Sequence, residues 1–127
     1  MATKDLGDRG EEIAAHYLEE IGYVILERKY RFQRAEIDLI CFAPSEQPEV
    51  RTELVFTEVK TRSSLAFGRP EEAVSYVKRQ HLVRAARAYL HERRLESTPC
   101  RFDVISIVIS KHGKPTIEHF ERAFWAS

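Results

Sequence analysis

The chain has 127 residues, which is enough for one domain with its own hydrophobic core. Hydrophobic residues make up 43% of it and charged residues 31%, a composition that excludes intrinsic disorder. No apolar run is long enough to cross a bilayer, the N-terminal segment lacks the apolar stretch of a secretory signal, and the two cysteines are too few for a disulfide framework. We therefore expect a single cytoplasmic domain, residues 1–127, without membrane contact.

The charges balance, because 20 Lys and Arg stand against 20 Asp and Glu, so total charge indicates no nucleic-acid partner. Their distribution is uneven. Residues 1–20 contain two basic and six acidic residues, whereas residues 76–94 contain six basic residues and one acidic residue. This polarity fits an acidic metal site beside a basic surface for phosphates, and it fits two solvated faces of opposite charge equally well.

Hydrophobic periodicity predicts a first helix at residues 6–20, which Gly22 would end. Strands are predicted at residues 23–30, 35–42 and 54–60, and we expect them to form an antiparallel meander.

A long helix is predicted at residues 71–94, after an irregular segment at residues 61–70. The nearly continuous apolar run at residues 102–109 is typical of a strand buried on both faces in the middle of a sheet. A short strand at residues 115–120 completes the order αβββαββ, which predicts an α/β sandwich with a mixed sheet.

Strand alternation gathers charged residues on common faces. Glu58 and Lys60 share one face of the third strand, and Glu36 and Asp38 share a face with Ile40 in the second. Charges among apolar strand residues are costly unless they are paired or bind a metal. A Glu–Lys ion pair at a strand end and a metal site both remain open.

The first helix offers one more carboxylate to the sheet. At 100° per residue, Glu11 lies within about 20° of Leu18 at the edge of the apolar stripe, whereas Glu12 lies with Glu19 on the solvated side. Stabilisation of the helix dipole is the alternative, but it explains Glu11 and Glu12 equally well.

A polar ridge follows the second predicted helix, opposite its packing stripe, and would contact phosphates or simply face solvent. Its members are Gln80, Arg84, Arg87, His91 and Arg94. Arg62 and Arg69, after the third strand, are candidates to hold a nucleic-acid backbone, and Lys78 lies near the packing stripe, where it could reach the site. The five histidines show no metal-ligand spacing, and we expect no catalytic role for them.

Several motifs in this order resemble one family over nearly the whole chain. They are Gly7–Asp8–Arg9–Gly10–Glu11, Glu36–Ile37–Asp38, Phe56–Thr57–Glu58–Val59–Lys60–Thr61–Arg62 and Arg101–Phe102–Asp103–Val104. The chain resembles the YraN family of small bacterial proteins, which belongs to the PD-(D/E)XK nuclease superfamily and is related to archaeal Holliday-junction resolvases.

The resemblance implies a restriction-endonuclease-like, three-layer α/β sandwich and a Mg²⁺- or Mn²⁺-dependent endonuclease. The implied substrate is nucleic acid, DNA first, in branched or single-stranded form, and the resemblance admits a homodimer. The implied metal ligands are Asp38, Glu58, the backbone carbonyl of Val59 and, directly or through water, Glu11. Lys60 would orient the attacking water or stabilise the transition state.

Two positions depart from the family pattern: Ala35 stands for the usual Gly, and Lys29 for the usual Asn. They affect the local geometry at the entry to the second strand and remove no proposed ligand. Glu36 and Asp103 are rival acids, although an ion pair with Arg101 is the simpler explanation for Asp103.

A non-catalytic nucleic-acid-binding or protein-interaction module of the same fold is the alternative function. A weaker variant is an adaptor that uses the aromatic residues Phe120, Phe124 and Trp125. The intact Asp38, Glu58 and Lys60 favour the nuclease, since a module without catalysis could lose any of them and still fold.

Overall fold

Two helices and five strands follow one another in the order αβββαββ. The computed structural model describes residues 3–45, 52–63, 74–111 and 113–124. The elements are α1 (Thr3–Glu20), β1 (Val24–Phe32), β2 (Ala35–Phe42), β3 (Leu54–Arg62), α2 (Tyr76–Glu92), β4 (Cys100–Val108) and β5 (Thr116–Phe124). In the described part of the chain, neither helix is long and apolar enough to span a membrane.

The strands form one mixed sheet in the order β1-β2-β3-β4-β5. Neighbouring strands are antiparallel except β3 and β4, which are parallel because α2 carries the chain back between them. The predicted meander of the first three strands is confirmed. β4 lies between β3 and β5 and is buried over almost its whole length, as its apolar run predicted.

The two helices cover opposite faces of the sheet. Leu18 of α1 belongs to a buried cluster with Cys41 and Ile105, whereas Tyr89 of α2 belongs to a second cluster with Phe56. These two cores make the protein a three-layer α/β sandwich with a central mixed sheet, as expected.

The second helix is shorter than predicted at both described ends. Ser75 caps its N-terminus, where the hydroxyl accepts a hydrogen bond from the N–H of Lys78 at 3.2 Å. At the other end Arg94 has a left-handed φ of 55°, so the helix ends at Glu92 rather than at residue 94. β5 is longer than predicted and runs to Phe124.

The alternation of side chains breaks in β2, so one sequence prediction is wrong. Ile37 and Ile40 both pack in the α2 layer, whereas Asp38 lines a cavity beside α1 and therefore does not share a face with Ile40. Lys29 lies opposite this point of β2 and has a left-handed φ of 52°. Ideal period-two alternation does not hold across such a distortion.

Candidate functional site

Three carboxylates from two elements converge on the α1 side of the sheet. Oxygen atoms of Glu11, Glu36 and Asp38 all lie within 4.8 Å of one another. The side chain of Glu11 is 16% exposed and that of Glu12 is 72% exposed. The helical phase that turned Glu11 toward the sheet is therefore confirmed, and Glu36 joins the cluster as a further acid.

Gly10 lets α1 come close enough for this convergence. A Cβ atom at Gly10 would lie 1.8 Å from Oγ1 and 2.7 Å from Cβ of Thr61, distances that no real contact reaches. Glycine therefore sits where the helix backbone meets the end of β3, one residue before Glu11.

Asp38 occupies the point at which β2 and β3 separate. The last paired residues are Leu39 and Thr57, and beyond them the N–H of Val59 donates a hydrogen bond to Oδ2 of Asp38 at 2.7 Å. Burial raises the pKa of Asp38 to about 9, with further increases from the charge of Glu58 and a hydrogen bond with Glu11. Its ionised form therefore depends on a nearby cation.

Glu58 approaches the same region from β3 and is 6% exposed. Its Oε1 lies 2.7 Å from Nζ of Lys78 and 3.5 Å from Nζ of Lys60. The Glu–Lys ion pair considered from the sequence is thus present, but the closer partner is Lys78, which reaches the site as expected. Oε2 of Glu58 is buried and has no hydrogen-bond partner among the described residues.

The pKa values of Lys60 and Lys78 shift in opposite directions. Burial and the proximity of Lys78 lower the pKa of Lys60. Burial also disfavours the charge of Lys78, but the charge of Glu58 outweighs it and raises the pKa of Lys78. Lys60 is therefore the lysine that more readily exchanges a proton.

Lys29 also belongs to the site, although the sequence marked it only as a departure from a pattern. Its Nζ lies 2.8 Å from Oδ1 of Asp8 and 3.0 Å from Oε2 of Glu11. These hydrogen bonds raise its pKa. The left-handed φ explains why Asn suits this position, since Asn tolerates that conformation better than most residues. The Lys29 ammonium thus forms an ion pair with Glu11, a proposed metal ligand.

The donor set at this site suits a hard divalent cation. Glu11 and Asp38 line a cavity of about 260 Å³, with Glu36 beside them, and all three offer oxygen atoms. Glu58, a predicted ligand, is not in the group of carboxylates whose oxygens lie within 4.8 Å of one another, and Glu36 takes its place there. Oε2 of Glu58 is nevertheless buried without a partner in the described region. Carboxylate oxygens are what Mg²⁺ and Mn²⁺ prefer, so the residues fit such an ion. The ligand role of the Val59 carbonyl stays a prediction.

The residues predicted to bind nucleic acid separate into different places. Arg84 and Arg87 are exposed on α2, as the predicted ridge requires, whereas Lys78 faces Glu58. Arg62 is only partly exposed at the end of β3, where its carbonyl accepts a hydrogen bond from the N–H of Ile109 at 2.9 Å. Arg69 lies outside the described residues.

The rival acid Asp103 belongs to a separate buried network. Its oxygens accept hydrogen bonds from Nε of Arg101 at 3.1 Å and from the N–H of Arg122 at 3.0 Å, and one lies 2.8 Å from Nε2 of His119. The Arg101–Asp103 pair expected from the sequence is therefore confirmed. The contact with His119 was missed, and the only signal for it was an aspartate within an apolar strand.

Comparison with known proteins agrees with the motifs. Residues 10–107 match the family described as "Uncharacterised protein family UPF0102". A UPF0102 protein of Pelobacter propionicus is 40% identical over 122 residues, which cover 96% of this chain and 84% of that protein. One from Chlorobium limicola is 45% identical over 125 residues, covering 94% and 92%, and one from Clostridioides difficile is 39% identical over 124 residues, covering 98% and 100%. The chain therefore belongs to the UPF0102 family, which is the YraN family of the sequence motifs.

Proposed function

We propose that the protein is a Mg²⁺- or Mn²⁺-dependent nuclease that hydrolyses phosphodiester bonds in nucleic acid, first of all in branched or single-stranded DNA. The observation that carries this proposal is the cluster of Glu11, Glu36 and Asp38, whose oxygen atoms lie within 4.8 Å of one another. Glu58 lies outside this cluster, but its charge is close enough to raise the pKa of Asp38. The raised pKa of Asp38 and the unpartnered Oε2 of Glu58 support it, because both carboxylates gain from a cation between them.

Each residue has a definite task in this proposal. Glu11, Asp38 and Glu58 would hold the ion, with the carbonyl of Val59 as a further ligand. The chemistry that Mg²⁺ or Mn²⁺ would supply here is activation of water and neutralisation of charge on the scissile phosphate. Lys60, half-buried beside Glu58, orients the attacking water and stabilises charge that develops on the phosphate. The N–H of Val59 fixes the orientation of the Asp38 carboxylate.

The adaptor hypothesis has less support, because much of the aromatic C-terminus packs inside the protein. Phe124 is 6% exposed, and Phe120 packs against the same core cluster. Trp125 lies outside the described residues. Cleavage of a nucleic-acid substrate distinguishes the nuclease from a non-catalytic nucleic-acid-binding module.

The test combines binding of Mn²⁺, measured by calorimetry, with cleavage of linear, single-stranded and four-way-junction DNA. Asp38→Asn and Glu11→Gln should each weaken Mn²⁺ binding at least about tenfold and cleavage at least about a hundredfold. Glu12→Gln is the matched control, since it removes the same charge from the adjacent, exposed position.

Wild-type protein that cleaves none of the substrates, and binds Mn²⁺ no better than Asp38→Asn, would rule the nuclease out. Metal binding without cleavage would rule out hydrolysis of these substrates and leave the acidic cluster as a metal site only. If Glu12→Gln weakens Mn²⁺ binding and cleavage as much as Glu11→Gln does, the effect comes from the general electrostatics of the site.

A further inference from the structure

A second cavity lies on the opposite, α2 side of the sheet, under the turn between β1 and β2. It has a volume of about 410 Å³, within the usual range for ligand pockets of roughly 300–1,000 Å³. Its lining residues are Phe32, Gln33, Arg34, Ala35, His81 and Arg84. We call it the hairpin pocket. No carboxylate is among the described residues that line the pocket, so this part of its lining is positively charged.

The cations of the hairpin pocket have no partners among the described residues. Other basic side chains near the site are paired with acids, as Arg31 is with Glu36 and Lys78 with Glu58, although the exposed Arg87 on the same helix is also without a partner there. Arg34, His81 and Arg84 form no hydrogen bond or ion pair with any residue in the described ranges. In a chain of zero net charge, two unpaired guanidinium groups beside one cavity favour an anionic ligand.

The other lining groups narrow the class of that anion. Arginine forms paired hydrogen bonds with phosphate oxygens, and Phe32 and His81 offer ring surfaces against which a base can stack. The side-chain amide of Gln33 can both donate and accept hydrogen bonds, as the edges of a base require. Phosphate and base recognition together describe a nucleotide rather than a free phosphate.

The position of the hairpin pocket links it to the acidic site. Ala35 precedes Asp38 by three residues in β2, a rise of about 10 Å, and His81 follows Lys78 by one turn of α2, about 5 Å. The residues that line the hairpin pocket and those of the acidic site thus follow one another closely along β2 and α2, although the two sites lie on opposite faces of the sheet.

We propose that the hairpin pocket binds one unpaired nucleotide of a nucleic-acid strand, with Arg34 and Arg84 on its phosphate and Phe32 and His81 against its base. A duplex keeps its bases stacked inside, so only a single-stranded or splayed nucleotide can enter. The inference rests on the proposed function in one respect, that the bound strand is the one presented to Asp38.

The experiment measures binding of a short, fluorescently labelled oligodeoxynucleotide by anisotropy, in single-stranded and duplex form. EDTA is present, so neither metal binding nor cleavage affects the result. Arg34→Ala and Arg84→Ala should each weaken single-strand binding about tenfold while changing duplex binding much less. Arg87→Ala is the matched control, because Arg87 is exposed on the same helix and does not line the pocket. It should affect both forms equally.

If Arg34→Ala, Arg84→Ala and Arg87→Ala lower the affinity for single-stranded and duplex DNA equally, the proposal is overturned and DNA binds a diffuse positive surface instead. Wild-type protein that binds the duplex as well as the single strand would overturn it too. The same measurement with an oligoribonucleotide identifies RNA or DNA as the source of the nucleotide, and tighter single-strand binding with either supports the pocket. If this binding pattern holds but no substrate is cleaved, the proposed function fails and the hairpin pocket stands.

Discussion

Val59 donates its backbone N–H to Oδ2 of Asp38 at 2.7 Å, across the gap where β2 and β3 cease to pair. The bond links the two strands that carry the proposed acids, and it favours the ionised form of a carboxylate whose burial favours the neutral form. Burial and the charge of Glu58 outweigh this bond and raise the pKa of Asp38 to about 9. Asp38 thus costs stability whenever it is ionised without a cation.

Asp38→Asn is expected to stabilise the protein when no divalent metal is present. The pKa in the folded protein exceeds the ordinary value of 3.8, so the folded state binds more protons than the unfolded state between about pH 4 and pH 9. Stability of the wild type therefore falls as pH rises through this window. The amide keeps an acceptor for the N–H of Val59 and carries no charge, so it should gain about 1–3 kcal/mol near pH 8.

Thermal unfolding in EDTA from about pH 5 to about pH 8 measures the effect, and the gap between the two proteins should widen with pH. Added Mn²⁺ should reverse the order, because it stabilises only the protein that binds it. Parallel pH profiles for the two proteins in EDTA would contradict the raised pKa.

Lys29→Asn should increase the affinity for Mn²⁺ about tenfold, because it removes an ammonium that lies 3.0 Å from Glu11. Asn also accepts the left-handed φ at this position, so the fold should tolerate it. Calorimetric titration with Mn²⁺ measures the change. Arg28→Gln is the control, since Arg28 lines the same cavity but pairs with the exposed Glu12. Equal gains for both variants, or none for Lys29→Asn, would show that Lys29 does not compete with the metal.

Periodicity predicted those parts of the fold that depend on burial alone. Apolar stripes and runs report which face of an element is covered, and this was enough for the meander, the central β4 and the orientation of Glu11. The order of elements then gave the layers. These features can be predicted without knowing which residues pack against each element.

The rest of the site depends on partners that are remote in sequence or on unusual backbone geometry. Asp38 leaves its expected face because of the distortion opposite it at Lys29, and a lysine gives no sign of a left-handed φ. The hairpin pocket joins Arg34 to Arg84, fifty residues apart, through a turn and a helix that meet only in the folded chain. The motif triplet of Glu58, Val59 and Lys60 gave no indication that Lys78 is the closer partner of Glu58.

Asp103→Asn should destabilise the protein by about 3 kcal/mol at neutral pH and leave Mn²⁺ binding unchanged. Burial disfavours the charge of Asp103, but hydrogen bonds from His119, Arg101 and the N–H of Arg122 outweigh it and lower its pKa. The stabilisation is therefore present above the ordinary value of 3.8 and is lost as the pH falls toward the lower pKa in the folded protein. The difference between the two proteins should shrink below about pH 4.

Urea unfolding across this pH range is the measurement. Glu121→Gln is its control, since Glu121 is an exposed partner of Arg101 at 3.6 Å and should cost no more than about 0.5 kcal/mol. An equal loss for the two variants would show that burial adds nothing to the Asp103 network, and weaker Mn²⁺ binding by Asp103→Asn would connect it with the acidic site.

Gly10→Ala and Gly7→Ala should have opposite effects, although both put alanine into α1. Alanine favours a helix over glycine by about 1 kcal/mol, and a Cβ atom at Gly7 meets no atom within 4 Å, so Gly7→Ala should stabilise the protein. At Gly10 the same atom would clash with Thr61 and push α1 from the sheet, at a cost of about 1–3 kcal/mol. This shift separates Glu11 from Asp38, so Mn²⁺ binding should weaken as well.

Thermal unfolding measures the change in stability and calorimetry measures the change in Mn²⁺ binding. Thr61→Gly combined with Gly10→Ala should recover part of the loss. If both alanines raise the unfolding temperature, the close approach of α1 to β3 is not what brings Glu11 to the acidic cluster.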